Sequence, residues 1–208
     1  IIQTGNPVRK DITTTLPNKK EACNFFQLST DKKTILIIGG SLGAKTINES
    51  IEKNLLQFQQ NNLQIIWQTG KVYYDGIIER TKNIDLSSIK IQQFIREMNM
   101  AYAAADIVVS RAGALSISEL CIIGKPSILI PSPNVSEDHQ TKNAMALVTK
   151  NAAILIKDVE AKDTIDTTIL NLLQDETKLI ELANNIKTLA KSNAATEIVT
   201  AILQDINH

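Results

Sequence analysis

Three short stretches of this chain hold residue types that could do chemistry together. The first is Ser110-Arg111-Ala112-Gly113 followed by Ser116, Ser118 and one carboxylate, Glu119. Ile107, Val108 and Val109 form the apolar β-branched run of a strand buried on both faces. Leu115, Ile117, Leu120, Cys121 and Ile123 then have helical spacing, with Gly124 as a stop and Pro126 against continuation. A helix that begins just past the carboxyl end of such a strand aims unpaired N–H groups and a positive dipole end at an anion. Hydroxyls and a carboxylate in its first turns suit a phosphate next to a diol, which is what a nucleotide presents. The same residues also fit a capping box, with Ser116 as cap and Glu119 reaching back to it. That alternative leaves barely two turns of helix before Gly124.

The second stretch is Gly39-Gly40-Ser41-Leu42-Gly43-Ala44-Lys45-Thr46. A Walker A loop needs glycine directly before Lys45-Thr46, and Ala44 stands there. No strand ending in a metal-binding Asp accompanies it, because Asp106 begins its strand. Ser41 takes the second glycine position of a dinucleotide fingerprint, so that reading fails too. What remains is a tight loop at a helix start whose N–H groups could approach a phosphate, or a close strand-to-helix turn with no ligand at all.

The third stretch is Glu137-Asp138-His139-Gln140-Thr141-Lys142-Asn143-Ala144. Gln140 and Asn143 are three apart and share a helix face. Each carboxamide both donates and accepts, which matches sugar hydroxyls that also do both. A solvated helix start capped by Ser136 has the same appearance. His139 has no nucleophile or metal partner at ligand spacing, and reads as a surface histidine.

These stretches need a frame that brings strand ends together. Strands are expected at 34–38, 63–67, 89–95, 107–109, 127–130 and 153–156. Helices are expected at 18–28, 44–60, 72–80, 97–104, 115–123 and 137–150, and from 162 to the end with breaks near Asp175 and Ser192. Residues 4–9 read as a turn. Strand and helix alternate, so the fold class is α/β, with parallel strands and crossover helices. Ligands of such sheets bind beyond the carboxyl ends of the strands, where the strand order reverses. Each of the three stretches follows a strand.

Composition narrows the function classes. With 22 basic and 22 acidic residues among 208, the chain has no general field for a polyanion, and nucleic acid is not an expected partner. Aromatic residues at 4% are too thin for a base-stacking platform. Hydrophobic content of 43% is that of an ordinary globular protein. Cys23 and Cys121 read as inert thiols of a reducing compartment. No apolar run is long enough to span a bilayer and no signal peptide opens the chain, so a cytoplasmic location is expected. Ile1 stands where a start methionine would, and the expectation is a chain cut at a domain boundary.

Taken together, Gly5-Asn6-Pro7-Val8-Arg9, the glycine-rich loop, Phe94-Ile95-Arg96-Glu97-Met98, the serine-rich segment from Ser110 to Glu119 and the segment from Pro131 to Ala144 resemble the MurG family of peptidoglycan N-acetylglucosaminyltransferases, in its carboxyl-terminal half. The last two stretches carry the match. The resemblance implies a Rossmann-like doubly wound parallel sheet of about six strands, the carboxyl-terminal domain of a GT-B glycosyltransferase, holding UDP-GlcNAc. It places Arg9 and Ser41 at the donor's phosphates and Ile95 on uracil through its backbone N–H and C=O. Ala114, Leu115, Ser116, Ile117, Ser118 and Glu119 would line pyrophosphate and ribose, with Glu119 accepting from both ribose hydroxyls. Gln140 and Asn143 would address the GlcNAc hydroxyls.

It further implies inverting transfer of GlcNAc to the C4 hydroxyl of lipid-linked MurNAc-pentapeptide, lipid I. The acceptor site, the general base and the membrane-facing surface would, on this resemblance, belong to an amino-terminal domain outside the stretch that matches. The parent enzyme would be peripheral on the cytoplasmic face of the inner membrane. No catalytic residue, metal or cofactor is expected within this chain; helix N–H groups and Arg9 would do what a cation does elsewhere. Residues 1–10 would be an interdomain lead-in, 11–192 the donor-binding domain, and 193–208 a terminal helix packing back on the absent domain. Two other readings compete: a stand-alone nucleotide-sugar-binding subunit docked on a membrane partner, and a UDP-GlcNAc epimerase-like enzyme, which would need more acid–base groups than Glu119 and His139.

Overall fold

The computed structural model describes residues 2, 4–13, 16–134 and 138–206. Six strands form one parallel sheet: β1 (Thr34–Ile38), β2 (Gln64–Gln68), β3 (Ile89–Gln92), β4 (Ile107–Ser110), β5 (Ser127–Leu129) and β6 (Ile154–Leu155). Their order is β3-β2-β1-β4-β5-β6. β1 lies between β2 and β4, with Ile35 level with Ile65 on one side and Ile107 on the other. The order therefore reverses between β1 and β4.

The sheet is covered on both faces, which is why its central strands are apolar throughout. Along β1, Leu36 and Ile38 enter one core while Ile35 and Ile37 enter the other. The first core takes α2 (Lys19–Phe25), α5 (Met98–Ala104), α6 (Ala114–Ile123) and α7 (His139–Val148). The second takes α3 (Lys45–Gln60), α4 (Tyr74–Thr81), α8 (Ala161–Gln174) and most of α9 (Glu176–Lys187). Ile47, Ile51, Leu55 and Phe58 of α3 are fully buried on the face their spacing predicts. Truncating any one of them to alanine removes about 2–5 kcal/mol. A single-turn α1 (Lys10–Thr13) precedes α2 and puts Ile12 into the first core; α10 (Ala194–Ile206) follows α9.

The expected elements are all present, with shifted ends that have local causes. β3 stops at Gln92 rather than Ile95, because the Ile95 N–H leaves the ladder for the side chain of Gln68. α4 starts at Tyr74, leaving Val72 exposed in the preceding turn. α7 begins after Asp138, which sits in the left-handed region (φ +54). The expected cap at Ser136 falls outside the described residues. Asp106, just ahead of β4, accepts from the Thr34 N–H (2.7 Å) and from Lys19 Nζ (2.8 Å) at the amino-terminal edge of the sheet. It is a structural carboxylate on the edge opposite the three stretches.

Candidate functional site

The carboxyl ends of β1 and β4 open side by side where the strand order reverses, and a helix starts just after each. Neither start is capped by a side chain: Ala44 precedes α3 and Gly113 precedes α6. The first intrahelical bond of α6 runs from Ile117 N–H to Gly113 C=O (2.9 Å), leaving the N–H groups of Ala114, Leu115 and Ser116 open. In α3 the first such bond is from Asn48 to Ala44, leaving the N–H groups of residues 45–47 open. This geometry rules out the capping box. Ser116 is the third residue of the helix and Glu119 the sixth, so Glu119 is a turn too deep to reach the helix start.

The inner part of the glycine-rich loop is a close strand-to-helix turn. A Cβ on Gly43 (φ +88) would lie 2.1 Å from the Thr69 carbonyl oxygen, and one on Gly70 (φ +82) 2.1 Å from the Gly43 nitrogen. The loops after β1 and β2 therefore pack backbone on backbone, joined by Lys71 N–H to Ser41 C=O (3.2 Å). Asn48 secures the start of α3 beneath them, accepting from Trp67 Nε1 (3.0 Å) and donating to the Thr69 carbonyl (2.8 Å). Gly40 instead meets open space, and the Ser41 side chain is exposed. That outer part of the loop is where a phosphate could approach.

Glu119 is held in a three-part contact. Its Oε2 accepts from the hydroxyl of Tyr102 at 2.8 Å, and its Oε1 lies 3.6 Å from Arg9 Nε, which is also 3.6 Å from Asp11. Burial pushes the Glu119 carboxyl above its ordinary range, while Tyr102 and Arg9 pull it back. Burial, with the Glu119 charge beside it, raises the Tyr102 phenol well above its usual value. Tyr102 is 1% exposed and so acts only as a support. An ionised carboxylate has about four acceptor sites, so hydroxyl donors can still be accommodated at Glu119.

Other expected site residues are placed differently. Gln140 Oε1 accepts from the Ser132 N–H (2.9 Å) and the Ala112 N–H (3.3 Å), and Asn143 Nδ2 donates to the Ala112 carbonyl (3.0 Å). The two carboxamides thus tie the loops after β4 and β5 to α7, a structural role that comes in addition to the expected sugar contacts. Each keeps its second polar atom without a hydrogen bond among the described residues. The Ser118 hydroxyl is turned away: it donates to the Ala114 carbonyl (3.0 Å) and accepts from Asn6 (3.1 Å). With Ile117 it borders a cavity of about 520 Å³ behind α6, shared with Cys121, Leu147 and Lys150. Ser118 and Ile117 thus face this cavity as well as belonging to the first turns of α6. Half of the expected Ile95 edge is also committed, since its N–H donates to Gln68 Oε1 at 2.9 Å.

Residues to which the motifs gave no role complete the frame. Arg111 Nη1 donates to the carbonyls of Ile130 and Pro131 (3.0 Å each) and pairs with Asp158, which also accepts from Thr46 Oγ1 (2.8 Å). One largely buried ion pair thereby joins the ends of β4 and β5, the turn after β6 and the first turn of α3. A lone arginine directly after a buried strand was the signal for it. Both cysteines are buried, and burial raises both thiols, Cys121 to about 11, which disfavours the thiolate form. Among the described residues, no helix is long and apolar enough to cross a membrane.

The profile of the glycosyltransferase family 28 C-terminal domain matches residues 34–198. The chain is 50% identical over 207 residues to the UDP-N-acetylglucosamine–N-acetylmuramyl-(pentapeptide) pyrophosphoryl-undecaprenol N-acetylglucosamine transferase of Parabacteroides distasonis, covering all of this chain and 56% of that protein. The enzyme of the same name from Bacteroides thetaiotaomicron is 50% identical over 206 residues, covering 98% and 55%. The chain thus spans about half the length of the curated relatives it matches. A crystal structure of MurG from Acinetobacter baumannii superposes with a TM-score of 0.75 at 26% identity, covering 98% of this chain and 57% of that one. The C-terminal CMP-Kdo binding domain of WaaA from the same organism, at 14% identity and a TM-score of 0.60, shows the shared fold. With its six-stranded Rossmann-like sheet and a family match over most of its length, the chain belongs to the glycosyltransferase family 28 C-terminal domains.

Proposed function

We propose that this domain is the donor-binding half of an inverting glycosyltransferase that moves GlcNAc from UDP-GlcNAc to the C4 hydroxyl of lipid-linked MurNAc-pentapeptide. The observation that carries this reading is the pair of uncapped helix starts, α3 and α6, at the strand-order reversal, with Glu119 one turn further along α6. In this reading the open N–H groups of Ala114, Leu115 and Ser116 and the exposed Ser41 receive the diphosphate. Arg9, next to Glu119, adds a positive charge at the junction of phosphate and ribose. Glu119 accepts from the ribose hydroxyls through the lone pairs that Tyr102 leaves open. The Ile95 carbonyl, which has no hydrogen-bond partner among the described residues, accepts the uracil N3–H. Gln140 Nε2 and Asn143 Oδ1 are the atoms left for sugar hydroxyls.

The chemistry of these residues is stabilisation of the leaving group. As the bond from the anomeric carbon to the diphosphate oxygen breaks, negative charge grows on UDP beside dipoles that are already oriented. The acceptor hydroxyl attacks from the opposite face, about 3–3.5 Å from the anomeric carbon, and its proton passes to a base outside this chain. The apolar face of α10, where Val199, Ile202 and Ile206 are each more than half exposed, suits packing against that second half. Membrane contact and access to lipid I belong to the second half as well, at the cytoplasmic face.

A transfer assay with a lipid I analogue and UDP-GlcNAc tests the proposal. The chain alone should give no turnover, and adding the separately expressed amino-terminal half should restore it. Robust turnover by the chain alone would overturn the donor-half reading.

A further inference from the structure

Gln68 is the last residue of β2, 3% exposed, and its neighbours in the sheet are Ile38 and Gln92. Its carboxamide bridges two loops that no other side chain joins among the described residues. Nε2 donates to the carbonyl of Gly40 at 3.0 Å, and Oε1 accepts from the N–H of Ile95 at 2.9 Å. The orientation of the amide is fixed by its partners, since a carbonyl needs the NH2 and an N–H needs the oxygen. Gly40 is the left-handed hinge (φ +86) of the loop that leads to the open start of α3. Ile95 is the buried anchor of the Phe94–Met98 turn: its side chain is 0% exposed while Phe94 and Arg96 on either side are exposed. Backbone bonds from Thr69 and Gly70 to Gln92 and Gln93 hold the start of the β3 loop, but they stop two residues short of Ile95. The Ile95 peptide is therefore held from two sides, by its own side chain in the core and by the bond from its N–H to Gln68.

We propose that Gln68 is a positioning residue that sets nucleobase selectivity, by fixing the Ile95 peptide relative to the phosphate loop. The inference rests on the UDP-donor reading above and adds to it a specific cause of discrimination between bases. A carboxamide has one arm for each loop, so its two functions separate by substitution. Gln68→Met keeps the volume and loses both bonds. Gln68→Glu keeps an acceptor for the Ile95 N–H but loses the donor to Gly40 and sets an acceptor oxygen against that carbonyl.

The test is calorimetric titration of wild type and both variants with UDP, ADP and inorganic pyrophosphate, with thermal midpoints measured alongside. In Gln68→Met, UDP affinity should fall at least tenfold and pyrophosphate affinity less than threefold, so that the preference for UDP over ADP largely disappears. In Gln68→Glu the preference for UDP over ADP should persist, while pyrophosphate affinity falls. A Gln68→Met protein that keeps the wild-type UDP-to-ADP ratio overturns the proposal, whatever its thermal midpoint. If Gln68→Met does not fold, loss of the ratio in Gln68→Glu overturns it instead. Wild type that binds pyrophosphate but shows no preference for UDP refutes the donor reading itself, a result distinct from either variant's failure.

Discussion

Replacing Tyr102 with phenylalanine isolates the support beneath Glu119. The ring stays in the core, where it is 1% exposed, and only the 2.8 Å bond from its hydroxyl to Glu119 Oε2 is lost. A hydrogen bond to a charged group contributes about 1.5–3 kcal/mol, and one between neutral groups about 1 kcal/mol. The cost of the substitution is therefore larger where Glu119 is ionised than where it is protonated. Burial already raises the folded-state pKa of Glu119, so between its unfolded and folded values the folded protein binds more protons. Stability accordingly declines as pH rises through that window. Tyr102 and the Arg9 charge lower the Glu119 pKa and oppose the burial, while Asp11 raises it. In Tyr102→Phe the decline should be deeper and extend to higher pH. UDP affinity, which needs the carboxylate ionised, should rise with pH in wild type and rise at a higher pH in the variant. Chemical denaturation and UDP titration across a pH series measure both. Parallel pH profiles for the two proteins would refute the coupling.

Glu119→Ala should weaken UDP by about 2–3 kcal/mol, roughly 30–150-fold, through loss of charge-assisted bonds to two hydroxyls. Because Glu119 lies in the second turn of α6, its helix should not lose the ~0.5–2 kcal/mol expected of a lost cap, and denaturation of the same variant checks that. Gln140→Ala and Asn143→Ala should weaken UDP, weaken UDP-GlcNAc further and lower stability by about 1–3 kcal/mol, because each holds the Ala112 loop and keeps one atom for the sugar; a loss confined to UDP-GlcNAc in binding titrations would show a role limited to the sugar. Arg111→Ala leaves Asp158 uncompensated in a largely buried pair and should cost about 3 kcal/mol of stability in denaturant unfolding. An unchanged midpoint in that experiment would mean that the pair is dispensable.

The alternation of strand and helix was legible because the strands are apolar on both faces and the helices keep one apolar stripe. Residues 34–38 and the buried face of α3 needed no tertiary information. That a helix follows the carboxyl ends of β1 and β4 was legible too, since a glycine-containing loop separates each apolar strand from a helical stripe. What the pattern hid were side chains whose partners lie far away in sequence. Ser118 looks like a ligand hydroxyl until Asn6 is found 112 residues away from it. Gln140 and Asn143 read as sugar amides, and their second role shows only when the Ala112 backbone appears beside them. Gln68 and Tyr102 belong to no local motif, and their roles, like that of Arg111, exist only once three strand ends and a helix are brought together. The choice between capping box and ligand carboxylate at Glu119 turned on where the helix begins, a boundary that periodicity leaves uncertain by a residue or more.

The central claim is that these loops form a site for a uridine diphosphate. Titrating the isolated chain by calorimetry with UDP, UDP-GlcNAc, CDP, ADP and GDP tests it most directly. The account predicts binding of UDP and UDP-GlcNAc with Kd from about 100 μM to the millimolar range, as fits a site open to water on one side, and weaker binding of the other three by about tenfold or more. Equal affinity for UDP and GDP, or no binding of UDP at millimolar concentration, would contradict it.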